Sequence, residues 1–212
     1  MEDKETKLRI QEKAIELFFR HGIRAITMDE IASQMSISKK TIYQYFKDKD
    51  ALVDAVIQKE IKRDEKECCE CTAAAENAIH ESFLALNMVQ QTLNTMNPLI
   101  MYDLERCHPK AYKRLKNHKS TFMLDKEKEN LLWGIEEGLY REDLNIDIVT
   151  RMRIESIFMG FNPDIFSHHK YSISLIQQQI FFLFLRGIAS TKGQKLIDKY
   201  AKQHLENNLL HD

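Results

Sequence analysis

The chain has 212 residues, 43% hydrophobic and 30% charged, with a formal net charge of -1, which is enough apolar material for one or two domains and excludes a uniformly basic nucleic-acid coat while leaving room for a local basic face. Six glycines and three prolines supply too few tight turns for an all-β fold, so the expected class is all-α. The amino terminus, MEDKETKLRIQEK, lacks the apolar core of a secretory signal, and the longest apolar run, Ile180–Leu185, stops at Arg186, short of the roughly 20 residues that span a bilayer. A cytoplasmic protein with no membrane attachment is expected.

The first helical stripe runs from Leu8 through Ala14, Ile15, Leu17, Phe18 and Phe19 and stops at Gly22, a C-terminal cap behind Arg20 and His21. A second, short helix follows, with Thr27 as N-cap, Glu30 three residues on in capping-box spacing, and Met28, Ile31, Ala32 and Met35 facing inward. Ser36, Ile37 and Ser38 break that pattern. Ser38 then caps a third helix over 39–46, whose Ile42 and Phe46 lie four apart on one face. Two short helices separated by about three residues make a helix-turn-helix. From Asp50 a long connector reaches to about residue 70, and helices are expected near 73–95, 98–106 and 109–131 or beyond, each proline falling in a first turn. Two further helices are expected at about 146–161 and 173–190, and a last amphipathic one over 193–212. The helix over 173–190 is apolar around most of its circumference; Ile176, Ile180, Phe181, Phe184 and Ile188 are therefore expected to pack against a second copy of the chain in a homodimer.

With Ile42 and Phe46 held by the core, Lys39, Lys40, Thr41, Tyr43, Gln44 and Tyr45 are left to face solvent or whatever lies against the third helix. Residues 37–49 hold four lysines against Asp48 alone. Lysines neutralise phosphates, while hydroxyl and amide groups bond phosphate oxygens or base edges, so this set suits double-stranded DNA. Three of the four cysteines crowd into Cys68, Cys69 and Cys71, with Cys107 apart. Adjacent thiols on a helix point apart, so small apolar packing is a simpler reading than a metal or redox site. No cofactor and no catalytic constellation is expected, and the chain is read as not an enzyme.

Residues 27–56, TMDEIASQMSISKKTIYQYFKDKDALVDAV, resemble the DNA-binding segment of the tetracycline-repressor (TetR) family, with its Ile-Ala pair, Ile-Ser turn, Lys-x-Thr-Ile-Tyr-x-Tyr-Phe and Lys-Asp-Ala-Leu. The resemblance covers roughly residues 5–60. Two departures stand out: Ser36 and Lys40 occupy positions where the family often has glycine. GIEEGLYREDL, from Gly134, is also similar to a segment in family bodies, in which Gly138 would end one helix and Asp143 or Asn145 start the next. The resemblance implies that Thr27 and Lys49 flank the groove and touch phosphates, and that Ser38, Lys39, Lys40, Thr41, Tyr43, Gln44, Tyr45 and Lys47 lie in or beside the major groove. On chemistry, Gln44 is the best base reader. It further implies a DNA-binding domain over 1–50 and, over 51–212, a helical body that dimerises and encloses a pocket for a small-molecule effector, for which Phe83, Met96, Met101, Tyr102, Phe122 and Trp133 are the proposed lining. The expected function is a ligand-responsive regulator, a repressor on a palindromic operator. Its rivals are the same fold without a small ligand, the body only dimerising or binding a protein, and an enzyme or carrier with structural amino-terminal helices.

Overall fold

A computed structural model describes residues 2–94 and 96–209, whose regular elements are helices joined by turns and loops. In order the helices are α1 (Glu2–His21), α2 (Met28–Gln34), α3 (Lys39–Tyr45), α4 (Lys49–Ala74), α5 (Ala78–Leu93), α6 (Ile100–Cys107), α7 (Pro109–His118), α8 (Leu124–Glu136), α9 (Ile146–Met159), α10 (Ile173–Ile188) and α11 (Thr191–Leu209). A π-helical turn, Lys119–Met123, joins α7 to α8, so the expected helix from 109 is one path with a wider turn inside it. Pro109 opens α7 as its missing N–H allows. Pro98 does not open α6: Asn97 accepts from the Leu99 N–H at 2.9 Å and holds residues 97–99 in a turn ahead of it. The last three residues of the expected 193–212 helix lie outside the described ones.

The chain forms two compact units, Met1–Asp64 with Thr95–His118 and Glu65–Asn94 with Lys119–Asp212. This division falls inside α4, and α6 and α7 go with the amino-terminal helices. In the first unit Ile10, Ala14, Phe18, Ile31, Ile42, Phe46, Leu52 and Val53 form the core. The cap that begins α2 is complete: the Thr27 hydroxyl accepts from the Glu30 N–H at 3.1 Å, and the Glu30 carboxylate accepts from the Thr27 N–H at 2.6 Å. Gly22 ends α1 with φ +86. Ser36 lies in the left-handed region at φ 55, the one non-glycine to do so among the described residues. Polar contacts tie α7 and the residue before it to α4: His108 Nδ1 is 2.6 Å from Asp50, Lys110 Nζ 2.8 Å from the buried Asp54, which Arg114 also grips, and His118 Nε2 2.9 Å from Asp64.

In the second unit Ile79, Phe83, Leu131, Leu139, Tyr140, Phe181, Leu185 and Ile197 are buried together. Gly134 lets the Tyr140 ring lie flat on α8, since a Cβ there would stand 2.1 Å from that ring. Gly138, at φ +66, turns the chain after α8, and the Asn145 side chain caps α9 by accepting from the Ile148 N–H at 3.2 Å.

Candidate nucleic-acid interface

α3 is held by its two apolar anchors, Ile42 at 0% and Phe46 at 3% exposure, and by Ser38, whose hydroxyl accepts from the Thr41 N–H at 3.0 Å. Its outward side carries Lys39, Lys40, Tyr43 and Gln44, all exposed, with Thr41 half-buried beside them. These residues lie on one seven-residue helix whose backbone is fixed by cap and core, so the donors are presented on a rigid element.

The other expected contacts differ in how free they are. Thr27 is exposed, but its hydroxyl is engaged in the capping box, and the hydrogen bonds from Thr27 hold the Glu30 carboxyl below the usual range. Lys39 forms an ion pair with Asp29 of α2, and Lys47 lies 3.6 Å from Asp48. Tyr45 packs against the core, its ring only partly exposed. Lys49 is half-buried with Nζ 3.5 Å from the Arg24 carbonyl, and burial pulls its ammonium below the ordinary lysine value. Lys40, Tyr43 and Gln44 form the open part of the face.

Of the six residues expected to line a pocket, three belong to each unit. Met96 and Met101 pack against the core of the first unit and Tyr102 is 47% exposed with Arg106 over its ring. Phe83, Phe122 and Trp133 belong to the second unit, where Phe83 is buried against Phe181, Phe182 and Tyr200. A methionine or aromatic on a helical stripe satisfies an ordinary core as well as a pocket. The expectation for α10 also needs correcting. Ile176, Phe181 and Ile188 are buried within this chain, at 5%, 2% and 3% exposure, and Ile180 and Phe184 are partly so. The helix is apolar all round because α5, α9 and α11 pack on it. Its exposed apolar residues are instead Leu175 and Leu183, and α9 adds Ile148, Met152 and Met159.

Sequence reasoning passed over Arg153 and Glu127, half-buried in the second unit. The one signal available was spacing: Arg153 stands three residues after Thr150 and one before Ile154, both on the buried side of α9. Among the described residues no disulfide joins the cysteines, no group of side chains is poised to hold a metal, and no helix is long and apolar enough to cross a membrane.

The sequence model of the family "Bacterial regulatory proteins, tetR family" matches residues 10–56, the segment that builds α1 to α3 and the start of α4. An HTH-type transcriptional regulator of Bacillus subtilis (strain 168), YvaF, is 24% identical over 193 residues, covering 86% of this chain and 95% of its own length. Two solved structures share the fold. A regulator from Saccharomonospora viridis in complex with choline superposes with a TM-score of 0.70 at 17% identity over 88% of this chain and 99% of that one. The regulator FadR from Bacillus subtilis in complex with stearoyl-CoA gives 0.66 at 18% identity, over 85% and 98%. The proteins matched are transcriptional regulators rather than enzymes. The capped α3 on a three-helix head, the matched segment that builds it and the all-helical fold behind it agree: residues 10–56 are a DNA-binding segment of the tetR-family type, on a fold shared with solved bacterial regulators.

Proposed function

We propose that this transcriptional regulator binds a palindromic operator as a homodimer through α3, that a small molecule bound in the helical body releases it, and that it acts as a repressor. The observation that carries the reading is the outward face of α3, where Lys40, Tyr43 and Gln44 stand exposed above the buried Ile42 and Phe46. Lys39, Lys40, Lys47 and Lys49 supply phosphate contacts, and the Gln44 amide can bond adenine N6 and N7 in a bidentate way. Thr27, Ser38 and Thr41 position the helix more than they read sequence, because their hydroxyls are already held in caps. Tyr43 braces the backbone, and Tyr45 does so from a ring partly covered by the head.

A second copy is the proposed cover for the apolar residues of α9 and α10. Ile148, Met152 and Leu183 are more than half exposed, at 61%, 56% and 76%, and an isologous contact between these helices hides them twice over. A two-fold dimer can also set two reading helices about 34 Å apart, one turn of duplex. The ligand-responsive part is supported by fold alone: the similar regulators crystallised with choline and stearoyl-CoA carry their ligands on the same fold.

The test is a genomic-fragment pull-down with the purified chain. Recovery of a few fragments sharing an inverted repeat, lost on the Lys40→Ala, Gln44→Ala double change, is the expected result. Recovery of random fragments, or of the same fragments with the changed chain, contradicts it.

A further inference from the structure

Six polar side chains project into the interior shared by α5, α8, α9 and the segment after α8: Glu81, Glu127, Asn130, Tyr140, Thr150 and Arg153. Three of them satisfy one another. The Tyr140 hydroxyl donates to Asn130 Oδ1 at 3.0 Å, and Asn130 Nδ2 donates to Glu81 at 2.6 Å and to the Ala78 carbonyl at 2.8 Å. The other three do not. Arg153 Nη1 and Thr150 Oγ1 are buried without a hydrogen-bond partner. Glu127 and Arg153 are near enough for their charges to interact, yet no ion pair or side-chain hydrogen bond involves either among the described residues.

A buried guanidinium with no carboxylate in contact is a costly arrangement, and packing alone gives no reason to keep it. The Phe181 and Phe184 rings lie 5.7 and 5.1 Å from its centre, which steers the group without supplying an acceptor. Glu127 and Arg153 are half-buried. Burial pushes the Glu127 carboxyl upward, opposed by the nearby Arg153 charge. Arg153 keeps its charge, because even a lowered guanidinium value leaves it protonated in water near neutrality. Thr150 lies three residues from Arg153 on the same face of α9. A guanidinium nitrogen and a hydroxyl are therefore left without a partner, beside aromatic rings.

We propose that this interior binds a small organic carboxylate, whose negative group is held by the Arg153 guanidinium and the Thr150 hydroxyl, with its apolar part against Phe184. The inference deepens the ligand-responsive reading above and rests on it for its regulatory consequence alone.

The test titrates the full chain, without DNA, with sodium decanoate, decyltrimethylammonium bromide and 1-decanol, which share a tail and differ in head charge. Binding is read by calorimetry and by the fluorescence of Trp133, the chain's one tryptophan. Saturable binding of decanoate well above the other two is expected, falling at least about tenfold in Arg153→Met and less in Arg153→Lys, which keeps the charge. Thermal melting of the ligand-free chain is the second readout. Arg153→Met, relieved of an unmatched charge, should melt at or above the wild-type temperature. The proposal is overturned if decyltrimethylammonium binds as well as decanoate, if decanoate does not bind, if Arg153→Met leaves its affinity unchanged, or if that variant melts several degrees lower, as a structural counter-ion would require. A chain that takes decanoate through Arg153 but retards no DNA fragment refutes the regulator reading and leaves the site standing.

Discussion

Two residues in the head illustrate how little a motif says about the physics beneath it. Ser36 stands where the family often has glycine, and the turn it occupies needs glycine's backbone: φ is 55. A side chain in that region costs on the order of 1 kcal/mol, part of which returns as unfolded-state entropy when glycine is restored. Ser36→Gly should therefore raise stability in urea unfolding by up to about 1 kcal/mol without altering DNA contacts. A loss of stability would mean that the serine side chain contributes something the turn geometry does not reveal. Lys39 and Lys40 look equivalent in sequence but are not so in the fold, because Asp29 pairs with Lys39 while Lys40 is exposed. Lys40→Ala should weaken DNA binding more than Lys39→Ala when both are compared by fluorescence anisotropy at one salt concentration. Equal losses would show that the Asp29 pair opens on DNA at no cost. The sequence displays the lysines plainly, whereas the acidic partner from the preceding helix is a product of the turn.

At the scale of elements, helices announced by caps and stripes were legible and those defined by partners were not. Thr27 with Glu30, and Ser38 ahead of Ile42, mark α2 and α3 because a cap is a local interaction. The apolar girth of α10 marks a buried helix but cannot say what buries it, and three neighbouring helices of the same chain do much of that work. The allotment of α7 to the first unit was likewise invisible, since it depends on residues some 60 positions apart: Asp54 with Lys110 and Arg114. Asp54 is the buried member, its side chain 10% exposed against 39% for Arg114 and 75% for Lys110. Removing Arg114 strands a buried carboxylate, so Arg114→Ala should cost about 2–3 kcal/mol and Lys110→Ala under about 1 kcal/mol. The hydrogen bond from Arg114 holds the Asp54 carboxyl below the usual range. A depressed carboxylate stabilises the fold above its unfolded value and ceases to as pH falls through the folded one. The stability gap between wild type and Asp54→Asn should therefore be full at neutral pH and shrink below about pH 4. A gap that is constant from pH 7 to 3 in urea titrations contradicts this reading of the pair.

For the whole molecule, a regulator that reads two half-sites needs two heads. The head was legible because its motif is local; the body was not, because its polar interior and its exposed apolar face are set by how distant helices pack. If α9 and α10 make the subunit contact, the double change Met152→Glu, Leu183→Glu should give a monomer by light scattering. Folding should be little disturbed, since both side chains are more than half exposed. An unchanged dimer mass would move the interface elsewhere. The central claim is that the exposed lysines and glutamine of α3 meet duplex DNA, and salt-dependent anisotropy on a recovered fragment tests it most directly. Wild-type affinity should fall steeply with salt, and Lys39→Ala, Lys40→Ala, Gln44→Ala together should bind roughly a hundredfold more weakly with a shallower salt slope. The same affinity and the same slope in the triple variant would contradict the account.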